Sequence, residues 1–336
     1  MPSASVRGLA CALLLALGTV IQAQTTATHA PAESESDERA QQTTPDSTAG
    51  QEASPDSTNE TPSTSSSTLL DRFRAMLSQK EDPDGPIDTD RPTFTPAHTV
   101  IPPGRVQIES GWTYNHQKGA ARTDDLYDFP ELSFRYGLLD RVELRTLWVG
   151  PTFDEESAAS RRARRGIGGA SDMEVGIKWQ LIAGDKERKW IPTTALITSA
   201  IAPTGGSSSL SSGVAEPYIN LIYGWHPNDK LALCGSTGYL GQRQQAVAGS
   251  GLPADGFQRY HQSLVAFYSV GERTTVFYEW YVLMFTNAPN NLPAHFMDGG
   301  LLYRLTPNIQ VDVRAGFGLS GRPDDFFTGT GFSFRF

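Results

Sequence analysis

From residue 106 to the last residue the chain repeats one pattern: short segments in which apolar and polar residues alternate, set apart by turn residues. In 173–181, Met173, Val175, Ile177, Trp179 and Leu181 alternate with Glu174, Gly176, Lys178 and Gln180. In 309–319, Ile309, Val311, Val313, Ala315, Phe317 and Leu319 alternate with Gln310, Asp312, Arg314, Gly316 and Gly318. Side chains on a strand point to its two faces in turn, so each segment predicts a strand with one apolar and one polar surface. The period predicts twelve strands: 106–115, 125–136, 141–149, 171–182, 190–201, 213–225, 230–242, 257–270, 274–285, 295–305, 309–319 and 326–336.

The connections sort by length. Short turns follow the even strands, at 137–140, 183–189, 226–229, 271–273 and 306–308, and longer loops follow odd ones, notably 150–170, 202–212 and 243–256. An even strand number with short turns on one side and long loops on the other describes a bacterial outer-membrane barrel. A soluble sandwich also alternates, but it places its apolar face inward and has no reason to segregate its loops by length. The polar faces here also carry too many charges for a dry core. The fold class expected is all-β: a transmembrane antiparallel up-and-down barrel, multi-pass in the outer membrane.

The polar face predicts a lumen lined by Glu109, Glu131, Arg135, Glu143, Arg145, Asp172, Glu174, Lys178, Glu216, Glu279, Asp298, Arg304, Asp312, Arg314 and Arg335. The apolar face is expected to meet lipid, with aromatic girdles at its edges. Trp179, Trp190, Trp225, Tyr136 and Tyr303 fall near the short-turn ends, and Trp148, Tyr239 and Phe285 near the long-loop ends. The last strand ends Gly331-Phe332-Ser333-Phe334-Arg335-Phe336. Gly331, Phe334 and Phe336 resemble the terminal signal read by the barrel-assembly machinery, an expected partner together with outer-membrane lipid.

Residues 1–105 differ in kind. Arg7, the apolar run 9–20 and Ala23 predict a secretory signal peptide over 1–23, whose apolar core is too short to span a bilayer. Cys11 lies at the start of that core, most of which follows it, which argues against a lipoprotein signal. Residues 24–67, built of Ser, Thr, Pro, Ala, Gln and acidic residues without an aromatic, predict a disordered periplasmic tether, free to reach a periplasmic partner. A short helix is expected at 68–80, with Thr68 and Asp71 at its start and Leu69, Leu70, Phe73, Met76 and Leu77 on one face. An extended leader broken by prolines then runs to residue 105, and the barrel occupies 106–336. Asp88, Asp90, Arg91 and Phe94 can fold into the periplasmic mouth as a partial plug; the alternative is a leader lying outside.

Composition narrows the function classes. A net charge of −9 argues against nucleic acid, and two cysteines provide neither a disulfide framework nor a cysteine-based zinc site. The six histidines are scattered, there is no Gly-rich phosphate loop, and no cofactor or metal is implied. His261 and Ser263 share a strand face, as a His and a Ser do in outer-membrane phospholipases. No asparagine partner is evident near them, and the pattern turns both away from lipid, so two polar lumen residues are the blander reading. The run Arg161-Arg162-Ala163-Arg164-Arg165, behind Asp154, Glu155 and Glu156, either grips anionic groups at the mouth or is a self-compensating solvated loop.

The stretches Ile87-Asp88-Thr89-Asp90-Arg91-Pro92-Thr93-Phe94-Thr95 and Val100-Ile101-Pro102-Pro103-Gly104-Arg105-Val106-Gln107-Ile108-Glu109-Ser110-Gly111 resemble the opening of the meta-pathway phenol-degradation family. Later pieces, 129–137, 172–178 and 303–308, fit as well, and the resemblance covers about 86–336. It implies an outer-membrane barrel, often labelled a transporter, with a link to aromatic-compound metabolism. Together these readings point to a channel for passive uptake of a small-molecule solute, aromatic compounds among the candidates, and to no catalytic residue. A non-conducting structural or tethering barrel is the alternative, and a membrane lipase a remote third.

Overall fold

In a computed structural model, the described residues are 85–118, 123–156, 170–184, 190–205, 211–244, 255–286, 292–320 and 326–336. The expected signal peptide, tether and 68–80 helix, and the arginine run at 161–165, lie outside them.

Thirteen antiparallel strands form one sheet: β1 (Val106–Lys118), β2 (Thr123–Leu139), β3 (Val142–Trp148), β4 (Thr152–Glu156), β5 (Met173–Ile182), β6 (Thr193–Ala202), β7 (Glu216–Trp225), β8 (Leu231–Gln244), β9 (Asp255–Ser269), β10 (Thr274–Thr286), β11 (Ala294–Thr306), β12 (Ile309–Gly318) and β13 (Phe326–Arg335). Consecutive strands pair, except that β3 pairs with β5 and β4 with β2, and β1 pairs with both β2 and β13, which closes the sheet. Both β3 and β4 pair with β2, so they are two pieces of one stave, and the barrel has twelve. The break between them holds Gly150 at φ 81°, where a Cβ would run into the Pro130 carbonyl. Closure leaves no unpaired sheet edge inside a bilayer.

The strand boundaries expected from the alternation agree with these within a few residues. The expected 150–170 loop is shorter than read, because β4 continues the wall through Thr152–Glu156. A bulge also alters β2. Gly111 faces Glu131 and Thr113 faces Asp128, so Phe129 and Pro130 on β2 stand opposite Trp112 alone. Such an extra residue reverses which side chains point inward. Ser133 and Arg135 are buried below it, Leu126 and Asp128 above it, and Phe129 is exposed.

Facing positions follow the alternation. Val175, Ile177, Trp179, Leu264, Tyr268, Val313 and Phe317 are exposed on the outside, while Lys178, Gln180, His261, Ser263, Asp312 and Gln310 are buried within. Outside, Trp190 stands 92% exposed at the short-turn end, with Trp179 and Tyr303 exposed near it. One expected girdle member is misplaced. Phe285 is 6% exposed and points into the bore, where it packs with Phe257, Leu283, Ala294, Phe296 and Phe327. Its strand carries apolar residues on both faces near the long-loop end, so alternation there gives no side.

Candidate functional site

The leader, residues 85–105, lies inside the barrel. Ile87 N donates to Pro307 O at 2.7 Å, and Gly104 N donates to Gly137 O at 2.8 Å. Pro307 lies in a short turn and Gly137 near the end of β2 beside another, so the segment enters and leaves by the same end, the periplasmic one in barrels of this kind. Between those points it climbs into the bore. Proline-broken backbone cannot satisfy itself by a sheet ladder, and the wall's polar side chains take over that task.

Asp90 is the centre of the arrangement. Its Oδ1 lies 3.0 Å from Lys178 Nζ and 3.4 Å from Arg135 Nη1, and its Oδ2 lies 3.1 Å from Arg145 Nη1. Burial alone would raise this carboxyl; Arg135, Lys178 and Arg145 together hold it well below the usual carboxylate range. Arg135 is shared: its Nε and Nη2 donate to the two oxygens of Glu143 at 2.9 Å each, and its Nη1 donates to Glu109 at 3.2 Å. Lys178 also donates to the Ala97 and Thr99 carbonyls.

The carboxylates hold the leader's backbone directly. Glu109 accepts from Asp90 N and Arg91 N, Glu143 from Ile101 N at 2.8 Å, and Glu279 from Phe94 N at 2.6 Å and Thr95 N at 2.8 Å. Arg91 pairs with Glu131 and lies 3.7 Å from Asp312. Arg314 donates to Pro92 O at 2.8 Å, Gln310 to Thr89, and Arg335 to Gly85 O. Small residues make the fit. A Cβ on Gly111 or Gly331 would collide with the Arg91 guanidinium, and one on Gly224 would press on the His98 ring. Burial pushes that imidazole down to about 4, opposed by Asp88 and assisted by His226 and Lys178, and its Nδ1 lies 3.5 Å from the Cys234 thiol.

Of the residues expected in the lumen, Glu109, Glu131, Arg135, Glu143, Lys178, Glu279, Asp312 and Arg314 meet the leader or its immediate partners. Arg145 joins through Asp90, and Glu174 lies 4.0 Å from Arg145. Asp298 stands opposite Glu279 across β10 and β11, with both carboxylate oxygens buried. Glu216 and Asp172 are occupied higher up by the backbone of Arg243 and of Gly205 and Ser212. Arg304 sits apart, at the short-turn rim, donating to Glu272 O. Asp88, Asp90, Arg91 and Phe94 all lie on the inserted segment. Gly331 faces inward beside Arg91, whereas Phe332 and Phe336 are exposed, and the ring of Phe334, between them in sequence, stacks on that of Phe336.

Above the leader the bore changes character. Phe257, Leu283, Phe285, Ala294, Phe296 and Phe327, from β9, β10, β11 and β13, form an inward-facing apolar wall against which Phe94 and Tyr281 pack. The sequence reading missed this wall. Its signal was that β9, β10 and β13 carry aromatics on both faces near the long loops, which a simple polar-inside rule assigns to lipid.

The His261–Ser263 pair also needs correction. An asparagine partner does exist: His261 Nε2 lies 3.2 Å from Asn220 Oδ1. Ser263 Oγ, however, bonds Thr95 Oγ1 and Ser236 Oγ at 2.7 Å each. Among the described residues, no group of three or more His, Cys, Asp or Glu is placed to hold a metal ion.

A closed barrel with an apolar exterior and a charged bore defines the class: this is a β-barrel of the bacterial outer-membrane type. Residues 89–336 match the model of the family described as "Putative MetA-pathway of phenol degradation", and the chain belongs to that family. It is similar to a solved outer-membrane channel from Pseudomonas putida F1, with a TM-score of 0.55 at 14% identity, covering 73% of this chain and 100% of the other. Looser likenesses are to the KdgM porin (TM-score 0.42, 12% identity, 68% of this chain and 99% of the other). A third is to the CymD monoaromatic hydrocarbon channel (TM-score 0.36, 12% identity, 69% and 88%). No curated protein of similar sequence was found.

Proposed function

We propose that the protein is an outer-membrane channel that admits small molecules by diffusion, aromatic compounds among them, with its own leader as a plug in the periplasmic half. The observation that carries this reading is the division of the bore. A charged, hydrogen-bonding level holds the leader below, and an apolar, aromatic wall faces the lumen above. Apolar side chains turned into the bore, and not to the lipid face, give an apolar solute a surface to pack against. The lumen side chains then set selectivity by charge and hydrogen bonding, as in other channels. The entry of the leader beside Pro307 and the Arg335 contact to Gly85 support a tether that leaves on the periplasmic side.

The density of contacts on the leader favours a second reading, a barrel that stays shut and serves as a structural anchor or tether. Single-channel recording of the full-length protein in planar bilayers separates the two. Discrete conductance steps are expected from folded protein, identified by a heat-dependent gel shift. Silence in the wild type and in Asp90→Asn alike would sink the channel. A lipase is disfavoured because Ser263 Oγ is engaged by Thr95 and Ser236, within the bore and away from lipid. Phospholipid hydrolysis that disappears in Ser263→Ala would reverse that judgement.

A further inference from the structure

We propose that the space filled by the Phe94 ring is a binding subsite for a small neutral aromatic ring, with Phe94 as its internal stand-in until a solute displaces it. This deepens the channel reading by naming a solute class, and it rests on that reading for how the solute arrives.

The wall provides the cleft without help from the leader. Tyr281 stacks on Phe296 across β10 and β11, with centroids 4.7 Å apart and planes 11° from parallel. His261 stacks against Tyr218 at 5.9 Å and 23°. The Phe94 ring lies between these pairs, face to face with Tyr281 at 4.4 Å and 4°, and edge-on to His261 at 5.2 Å and 85°. Offset-stacked and edge-to-face arrangements at these separations are the two that the ring quadrupole favours. The cleft is therefore shaped for a six-membered ring, and it holds one.

That ring is not what anchors the leader at this height. Phe94 N and Thr95 N both donate to Glu279, and Thr95 Oγ1 meets Ser263. A displaced phenyl ring would leave those bonds in place. From the long-loop end, Phe257 and Phe285 begin a packed apolar cluster that continues through Leu283 to Tyr281, so the cleft adjoins apolar side chains on its long-loop side. Glu279, two residues from Tyr281 on β10, is engaged by the leader's N–H groups, so it is not free to pair with a cationic solute.

The test uses full-length protein in lipid nanodiscs, with 4-fluorophenol as the probe read by fluorine NMR, and empty nanodiscs subtracted. Phe94→Ala removes the competitor and is expected to bind the probe roughly threefold to tenfold more tightly than the wild type. Adding Tyr281→Ala should remove that gain. Phe94→Leu keeps the volume and serves where alanine disturbs folding; it should bind the ring more tightly than wild type but less tightly than alanine. Cyclohexanol, of similar size without a π face, should show no comparable gain. An unchanged affinity in both Phe94 variants, or an equal gain for cyclohexanol, would overturn the subsite. Conductance of the same variants keeps the two readings apart. Phe94→Ala that conducts without binding overturns the subsite alone, and binding without any conductance upholds the subsite and overturns the channel.

Discussion

Asp90 shows how one residue can hold a plug. Three cations from three strands, Arg135, Arg145 and Lys178, converge on its carboxylate, with Glu109 and Glu143 completing the network from β1 and β3. Removing one partner of a buried pair leaves uncompensated charge, at a cost of about 3–5 kcal/mol. Asp90→Asn is therefore expected to loosen the leader and raise open probability in bilayer recordings; unchanged traces would show that the ion pairs do not hold the plug. Its folded pKa lies below the unfolded one, so the stabilisation is fully present above the ordinary carboxylate range and is lost only as pH falls through the lowered value. The difference between wild type and Asp90→Asn should thus persist on acidification to about pH 4. Its disappearance at milder pH would contradict the low value. Gly331 offers a steric counterpart. Gly331→Ala places a methyl group where Arg91 and Asp312 meet, and should weaken the leader without altering any charge.

At the scale of the strand, the two faces answer to different solvents. A charge on the lipid face near the bilayer midplane costs about 2–4 kcal/mol, while the lumen tolerates one. Leu264, exposed on the outer face of β9, is the position to test. Leu264→Arg should lower stability by about that amount in denaturant titration of vesicle-refolded protein, and a change under about 0.5 kcal/mol would place this face away from lipid. Most of this was legible in the sequence because membrane strands must alternate. Val175, Ile177 and Trp179 against Lys178 and Gln180 needed no tertiary information. The failures have physical causes. On β10, Tyr281, Leu283 and Phe285 are apolar and face inward, so hydrophobicity ceased to report direction. On β2 the bulge at Phe129 and Pro130 reversed the parity, which no period-two reading follows. The Asp88–Phe94 segment was recognisable as a leader rich in polar groups. Its course was not, because it is held by residues scattered over nine wall strands, and pairing at sequence separations such as Gly85 with Arg335 leaves no local pattern.

At the scale of the whole molecule, twelve staves enclose a bore that side chains alone do not fill, and the chain completes the filling with its own preceding segment. Two folding problems are solved together. The leader's unpaired backbone groups find carboxylates and guanidinium groups, and Glu109, Glu131, Arg135, Glu143, Arg145 and Lys178 find partners in return. A plug so bound either rides aside during passage or leaves a path beside it. A covalent lock decides between them. Thr95 Oγ1 and Ser263 Oγ are 2.7 Å apart, which places the two side chains close enough for a disulfide after Thr95→Cys and Ser263→Cys. Cys234 is a free buried thiol near the leader, so Cys234→Ser belongs in the same protein to prevent misplaced bridges. If solutes pass only when the leader moves, oxidation should abolish conductance and a reductant should restore it, with mass spectrometry confirming the bridge. Equal conductance in the bridged and reduced forms would show instead that passage runs along the aromatic wall past a fixed plug.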